Sequence, residues 1–264
     1  MTADCDVVLL AAGKGRRLEQ GQCKAGVELL GRPLFLHAFR RFLDHPRVER
    51  VVLVVPPEEP ESSQVRAAVP DLGPGSKSVY LVPGGERRQD STFAGLTRLS
   101  ELGVRGDRIV LVHDAARPVV TAALIDRTVG ALDGPAERKQ ESLPGLDPST
   151  WGTGSAGAIP GLAVRETLKL AVEGRVVMTQ PRDNLFAVQT PQAFRFGPLF
   201  DAHLRARQHG HDFTDDSALL EWLGMSVRLV EGDAANLKVT YAADLALAEE
   251  LMSRDQPGVN KEEL

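Results

Sequence analysis

With 264 residues, 42% of them hydrophobic, the chain is long enough to bury a full core as one large α/β domain or two small ones. Its net charge of −5 argues against general nucleic-acid binding, and no apolar run approaches membrane-spanning length. Cys5 and Cys23 have neither metal-ligand nor disulfide-framework spacing, and the opening MTADCDVV lacks a basic n-region, so the reading is of a cytoplasmic protein.

In chain order, Val7 to Ala12 is an apolar run of the length of a buried parallel strand. Pro33 to His45 reads as a helix, with Phe35, Phe39 and Phe42 on one face and Pro33 suited to its first turn. Arg50 to Val55 is the second strand, stopped by Pro56-Pro57, and Glu59 to Val69 a weaker helix. A strand at Ser78 to Val82 precedes a helix at Asp90 to Leu102, with Asp90 or Ser91 as its cap. A strand at Arg108 to Val112 precedes a helix at Thr121 to Leu132, capped by Thr121. The stretch from Asp133 to Gly157 is rich in Gly, Pro, Ser and charge and reads as a mobile surface insertion. Strand-like segments follow at Ala163 to Leu170, Val176 to Thr179 and Leu185 to Thr190. Helices near Pro198 to His209 and Asp215 to Leu223, a strand at Val227 to Glu231 and a helix at Tyr241 to Met252 complete the pattern. Strands alternating with helices imply an α/β, mostly parallel sheet with helices on both faces, here a single domain over 1–254 with a frayed tail over 255–264.

The loop after the first strand, Gly13-Lys14-Gly15-Arg16-Arg17, combines glycines with three cations at the sheet edge where α/β folds bind phosphates. No GK[ST] closes it as a Walker A loop, and Leu18 stands where a dinucleotide fingerprint needs its third glycine. Only seven lysines occur in the chain, and Lys14, Lys24 and Lys238 all fall in loops suited to chemistry. GGERRQDS, Gly84 to Ser91, stands at the same edge: its glycines let a flat ligand such as a base approach, and Ser91 offers a hydroxyl. Asp90 reads more simply as a cap.

HDAARP, His113 to Pro118, follows the fourth strand. Asp114 suits a hydrated Mg²⁺ or a sugar hydroxyl, and Arg117 a phosphate, although a local Asp114–Arg117 ion pair explains the motif as simply. His113 reads as a hydrogen-bonded structural histidine. AVRETLK, Ala163 to Lys169, pairs with Arg175 to Thr179 across Glu173-Gly174 as a projecting hairpin, with Arg165 and Thr167 on one face. Thr214, in TDD, reads as a helix cap. Lys238, in NLKVT, points away from Leu237 and Val239, as a surface lysine or a second phosphate-binding cation.

The set AAGKGRRL with Lys24 after it, GGERRQDS, HDAARP, VRETLK, TPQAF, TDD and NLKVT, in that order, resembles the 2-C-methyl-D-erythritol 4-phosphate cytidylyltransferase family over Val7 to Leu251 apart from the insertion. The resemblance implies a Rossmann-like nucleotidyltransferase sheet with a projecting β-arm, at about 163–185, that forms a homodimer. It implies CTP and a polyol phosphate as substrates, Mg²⁺ as cofactor, and no nucleic acid or membrane partner. CTP would lie on Ala11, Ala12, Gly13, Gly15, Gly85 and Ser91, with Arg17, Lys24 and Lys238 as the catalytic cations. Asp114, Arg117, Arg165, Thr167 and Thr214 would meet the acceptor, with Asp114 also beside the metal and the arm residues reaching a partner subunit's substrate. Cys23-Lys24-Ala25-Gly26 departs from the family, which has proline before this lysine and a bulky residue soon after. The length leaves no room for a fused cyclodiphosphate synthase domain, so one activity is expected. The rival readings are a ribitol 5-phosphate cytidylyltransferase and a non-catalytic nucleotide-binding regulatory protein.

Overall fold

A computed structural model describes residues 5–13, 27–57, 77–133 and 155–254. The expected helix at 59–69, most of the insertion, and Lys14 to Gly26, which includes Gly15, Arg17, Cys23 and Lys24, lie outside the described residues.

Four strands run parallel: β1 (Cys5–Leu10), β4 (Val48–Val55), β5 (Ser78–Pro83) and β6 (Ile109–Asp114), in the spatial order β5-β4-β1-β6. The chain builds outward from β1 in one direction and then returns to its other side. The switch point therefore falls between β1 and β6, where α/β sheets form their ligand crevice. Beyond β6 the sheet continues with β11 (Gln192–Arg195), antiparallel to it, then β7 (Gly157–Ala163), which also pairs with β10 (Phe186–Val188) and β12 (Val227–Glu231). A small ladder, β2 (Glu28–Leu29) with β3 (Arg32–Pro33), stands apart, as does the hairpin β8 (Leu168–Val172) with β9 (Arg175–Gln180).

Side chains alternate along each buried strand, so one apolar segment feeds two cores. Val7, Leu9, Val51, Leu53 and Leu111 pack against α1 (Leu34–Asp44) through Phe35, Phe39 and Phe42, and against α3 (Ala122–Gly130) through Ile125 and Val129. Val8, Val52, Val54, Val110 and Val112 face α2 (Arg88–Glu101), α4 (Phe196–His209) and α5 (Asp216–Trp222) through Leu96, Leu99, Leu199 and Leu220. A third cluster joins Leu29, Val239 and Ala248 of the last helix, α6 (Ala242–Arg254).

Several sequence expectations need correction. β7 occupies Gly157–Ala163, so ordered main-sheet structure begins where the insertion was expected to end and stops where the hairpin was expected to start. Its glycines make room for neighbours: a Cβ on Gly157 would stand 2.6 Å from Phe194 Cδ1, and one on Gly161 2.8 Å from Leu229 Cδ1. The hairpin itself runs Leu168–Val172 against Arg175–Gln180, turning at Glu173-Gly174 with φ of 48° and 76°. Thr121 caps α3 as expected, its side chain accepting from Leu124 N–H. Neither Asp90 nor Ser91 caps α2, which begins at Arg88 with Arg87 in the cap position and no side-chain cap bond.

Candidate active site

Parallel register brings the C-terminal ends of β1, β4, β5 and β6 to one edge: Leu10 pairs with both Val54 and Asp114, and Val55 with Pro83. Ala11 N–H bonds Val54 O at 2.8 Å and Ala115 N–H bonds Leu10 O at 3.0 Å, so the loop after β1 is tied to both neighbours. Ala11 is buried, Ala12 half-buried, and Gly13 exposed at the mouth of the first loop. The Gly84-Gly85 turn packs onto this loop. A Cβ at Gly84 would stand 2.5 Å from that of Ala12, and one at Gly85 2.4 Å from that of Asp90. Close approach within the protein thus requires both glycines. Ser91 is buried, with its hydroxyl accepting from Gly85 N–H at 3.1 Å and donating to Arg87 O at 3.2 Å; it shapes the turn that carries Gly85.

Asp114 is the last residue of β6 and the centre of a charge network. Its Oδ1 accepts from Arg88 Nε at 3.2 Å and its Oδ2 from Lys238 Nζ at 2.7 Å. Arg88 also donates through Nη1 to Asp216 Oδ2 at 2.7 Å, and Asp216 Oδ1 meets His203 Nε2 at 3.1 Å. Burial would raise the Asp114 pKa, but the charges of Arg88 and Lys238, the Lys238 hydrogen bond and the charge of Arg117 together hold it well below the usual carboxylate range. Asp216 follows the same balance: burial raises it, and Arg88 and His203 bring it below its ordinary value.

His113 is structural, as expected. Its Nε2 contacts Arg117 O at 3.1 Å; a carbonyl only accepts, so Nε2 carries the proton. Thr190 Oγ1, 3.1 Å from Nδ1, then donates to it while accepting from Asp114 N–H at 3.0 Å. Burial pushes the His113 pKa down to about 4, so the ring is neutral and both nitrogens are occupied. It is not a proton carrier. Arg117 departs from the expected local ion pair. It donates to Asn236 O at 2.7 Å and Val188 O at 3.4 Å, which stitches HDAARP to the NLKVT loop. Val239 N–H to Ala116 O at 2.8 Å and Asn236 Nδ2 to Thr190 O at 2.8 Å complete that seam. Lys238 is thereby presented at the sheet edge, its side chain exposed while Val239 is buried.

The remaining predicted residues stand elsewhere or in altered roles. Thr214 is exposed and does not cap α5; Asp215 does, its side chain accepting from Ala218 N–H at 3.1 Å. Arg165 and Thr167 are exposed on the connection between β7 and β8, not on a hairpin strand, and Arg165 O accepts from Arg182 Nη1. Sequence reasoning missed Arg88, Asp216 and His203. The doubled arginine of GGERRQDS and the second aspartate of TDD were the available signals. The described residues hold no group of three or more His, Cys, Asp or Glu side chains that could bind a metal, and none of their helices is long and apolar enough to cross a membrane.

The sequence model of IspD, 2-C-methyl-D-erythritol 4-phosphate cytidylyltransferase, matches residues 5–144 and 149–254. Among curated proteins, the chain is 38% identical over 252 residues to the 2-C-methyl-D-erythritol 4-phosphate cytidylyltransferase of Syntrophotalea carbinolica, covering 96% of this chain and 97% of that one. It is 40% identical over 248 residues to a bifunctional enzyme IspD/IspF of Chelativorans sp., covering 92% of this chain but only 54% of that relative, so it spans about half the length of such bifunctional proteins. The crystal structure of 2-C-methyl-D-erythritol 4-phosphate cytidylyltransferase from Thermus thermophilus aligns with a TM-score of 0.67 at 30% identity, over 96% of this chain and 100% of that one.

Proposed function

The chain belongs to the 2-C-methyl-D-erythritol 4-phosphate cytidylyltransferase family, and from that premise we infer that it is a cytoplasmic enzyme transferring CMP from CTP to 2-C-methyl-D-erythritol 4-phosphate. The structural observation that best supports this reading is Lys238. It is an accessible cation at the switch-point edge of a parallel sheet, held by the buried Asp114, and a cation there suits a reaction that joins two polyanions.

The reaction needs no protein base. An acceptor phosphate oxygen, largely ionised at neutral pH with a second pKa of about 6, attacks the α-phosphorus of CTP. The new O–P bond forms as the bond to the β-phosphate oxygen breaks, and pyrophosphate leaves with the electron pair. The barrier lies in bringing like charges together and stabilising the bridging oxygen, so positioning and cations carry the catalysis. Lys238 neutralises phosphate charge. Arg17 and Lys24 of the first loop take the triphosphate in this reading, and Gly13, Gly15, Ala11, Ala12 and Gly85 frame the nucleotide. Arg117 and Thr214 border the acceptor. Mg²⁺ would come in with the CTP phosphates and would offset their charge, and Asp114 would be the carboxylate that helps to hold it.

A homodimer belongs to the same reading. The β8–β9 hairpin stands off the main sheet with Leu170, Val172, Val176 and Val177 all exposed. An isolated two-stranded ribbon is marginal in water, and these apolar side chains suit a partner arm. Arg165 and Thr167, at the base of the arm, would then reach the partner subunit's substrate.

The test is product identity. Incubation with CTP, Mg²⁺ and the acceptor should yield the cytidine diphosphate adduct by ³¹P NMR, and Lys24→Ala should slow its formation several hundred-fold, on the ~3–4 kcal/mol scale of a lost transition-state contact. A near-wild-type rate from that variant would remove Lys24 from the mechanism.

A further inference from the structure

We propose that Arg88 is a positioning residue of this reaction: it fixes Asp114 from one side, so that Lys238, on the other, can leave Asp114 for a substrate phosphate. The proposal rests on the cytidylyl-transfer reading above.

The two cations on Asp114 differ in how they are held. Lys238 comes from a loop, is exposed, and has Asp114 as the partner of its ammonium. Arg88 is the first residue of α2 and spans two carboxylates, Asp114 through Nε and Asp216 through Nη1. Asp216 is 1% exposed and cannot turn away, because its other oxygen meets His203, itself fully buried on α4 and stacked on Phe93 with ring centroids 6.2 Å apart. Residues from β6, α2, α4 and α5 therefore lock the Arg88 side of Asp114.

An incoming polyanion attracts both cations, but only Lys238 is built to move. Were Lys238 the sole partner of Asp114, its departure would strand a buried carboxylate, which is strongly unfavourable. Arg88 removes that penalty by compensating Asp114 throughout. It acts through Asp114 and Lys238 rather than by touching the reacting atoms.

The experiment compares wild type, Arg88→Met, Asp216→Asn and the double variant by steady-state kinetics, with CTP affinity by calorimetry and melting temperature as the folding control. Arg88→Met should lower kcat about 100-fold, the scale of a misplaced catalytic group, while CTP affinity stays within about threefold. Asp216→Asn should cost about tenfold, and the double variant should fall no more than about twofold below Arg88→Met, because Asp216 acts through Arg88. Arg88→Lys keeps the charge but cannot bridge two carboxylates, so it should recover only part of the loss, about tenfold; with Asp216→Asn it carries the test if Arg88→Met fails to fold. Near-wild-type turnover in Arg88→Met, an equal loss of CTP affinity and turnover, or losses that multiply in the double variant would each overturn the proposal. An inactive wild type would instead overturn the reading beneath it.

Discussion

At the scale of single residues, the site separates groups that are held from groups that are presented. Asp114 and His113 are adjacent on β6, yet one is ionised among cations and the other is neutral and fully buried. The neutral histidine has a consequence for stability. Its ordinary pKa of 6.5 falls to about 4 on folding, so as pH drops below 6.5 the unfolded chain takes the proton first. The stabilisation is present above pH 6.5 and lost as pH falls toward 4, amounting to about 3 kcal/mol at most. Denaturant unfolding of the metal-free, nucleotide-free protein should show stability declining from pH 6.5 to 4.5, and His113→Gln should flatten that decline. An unchanged slope in the variant would mean that the ring titrates normally. Lys238→Met should lower turnover about 100-fold with little change in melting temperature, since the lysine is exposed and its loss leaves Arg88 on Asp114. A large drop in melting temperature would make Lys238 structural. The sequence showed His113, Asp114 and Lys238 because each sits beside an apolar strand or loop with readable alternation. It hid Arg88, because the partner that gives that arginine meaning, Asp216, is 128 residues away.

At the scale of elements, close packing explains where the pattern was readable and where it failed. The strand at Val227–Glu231 and the Thr121 cap rest on local signals, β-branched alternation and a hydroxyl before a helix, and both stand in the structure. The strand GAIPGLA carries no readable strand signal, because glycine and proline usually end strands. Here the glycines yield space to Phe194 and Leu229, which only the folded sheet reveals. In TDD two good capping residues adjoin, and the helix starts one residue later than a Thr214 cap requires. Gly95 is the sharpest case of helix-on-sheet contact: a Cβ there would stand 2.4 Å from Val8 Cγ1. Gly95→Ala gains about 1 kcal/mol of helix propensity but meets an overpacking cost of about 1–3 kcal/mol. Urea unfolding should therefore show net destabilisation, and a stabilised variant would contradict this packing. For the arm, Leu170→Asp with Val176→Asp should convert a dimer to a monomer by light scattering; a mass unchanged by these charges would place any dimer contact elsewhere.

At the scale of the molecule, alternating strands and helices led to the parallel half of the sheet, its two-sided core and its ligand edge. The antiparallel half was not legible, because β11 finds β6 across more than 75 residues and no local pattern names that partner. The whole then reads as a rigid sheet that brings the loops after β1, β5 and β6 to one edge, with Lys238 arriving from a distant loop. Such an arrangement serves two phosphorylated substrates better than one bound nucleotide, because a binding protein has no use for an accessible lysine held on Asp114. The most direct measurement is pyrophosphate release with CTP and Mg²⁺, offering 2-C-methyl-D-erythritol 4-phosphate and ribitol 5-phosphate in parallel. Release with methylerythritol phosphate alone is the predicted result. Release with ribitol phosphate instead, or CTP binding without release for either acceptor, would contradict it.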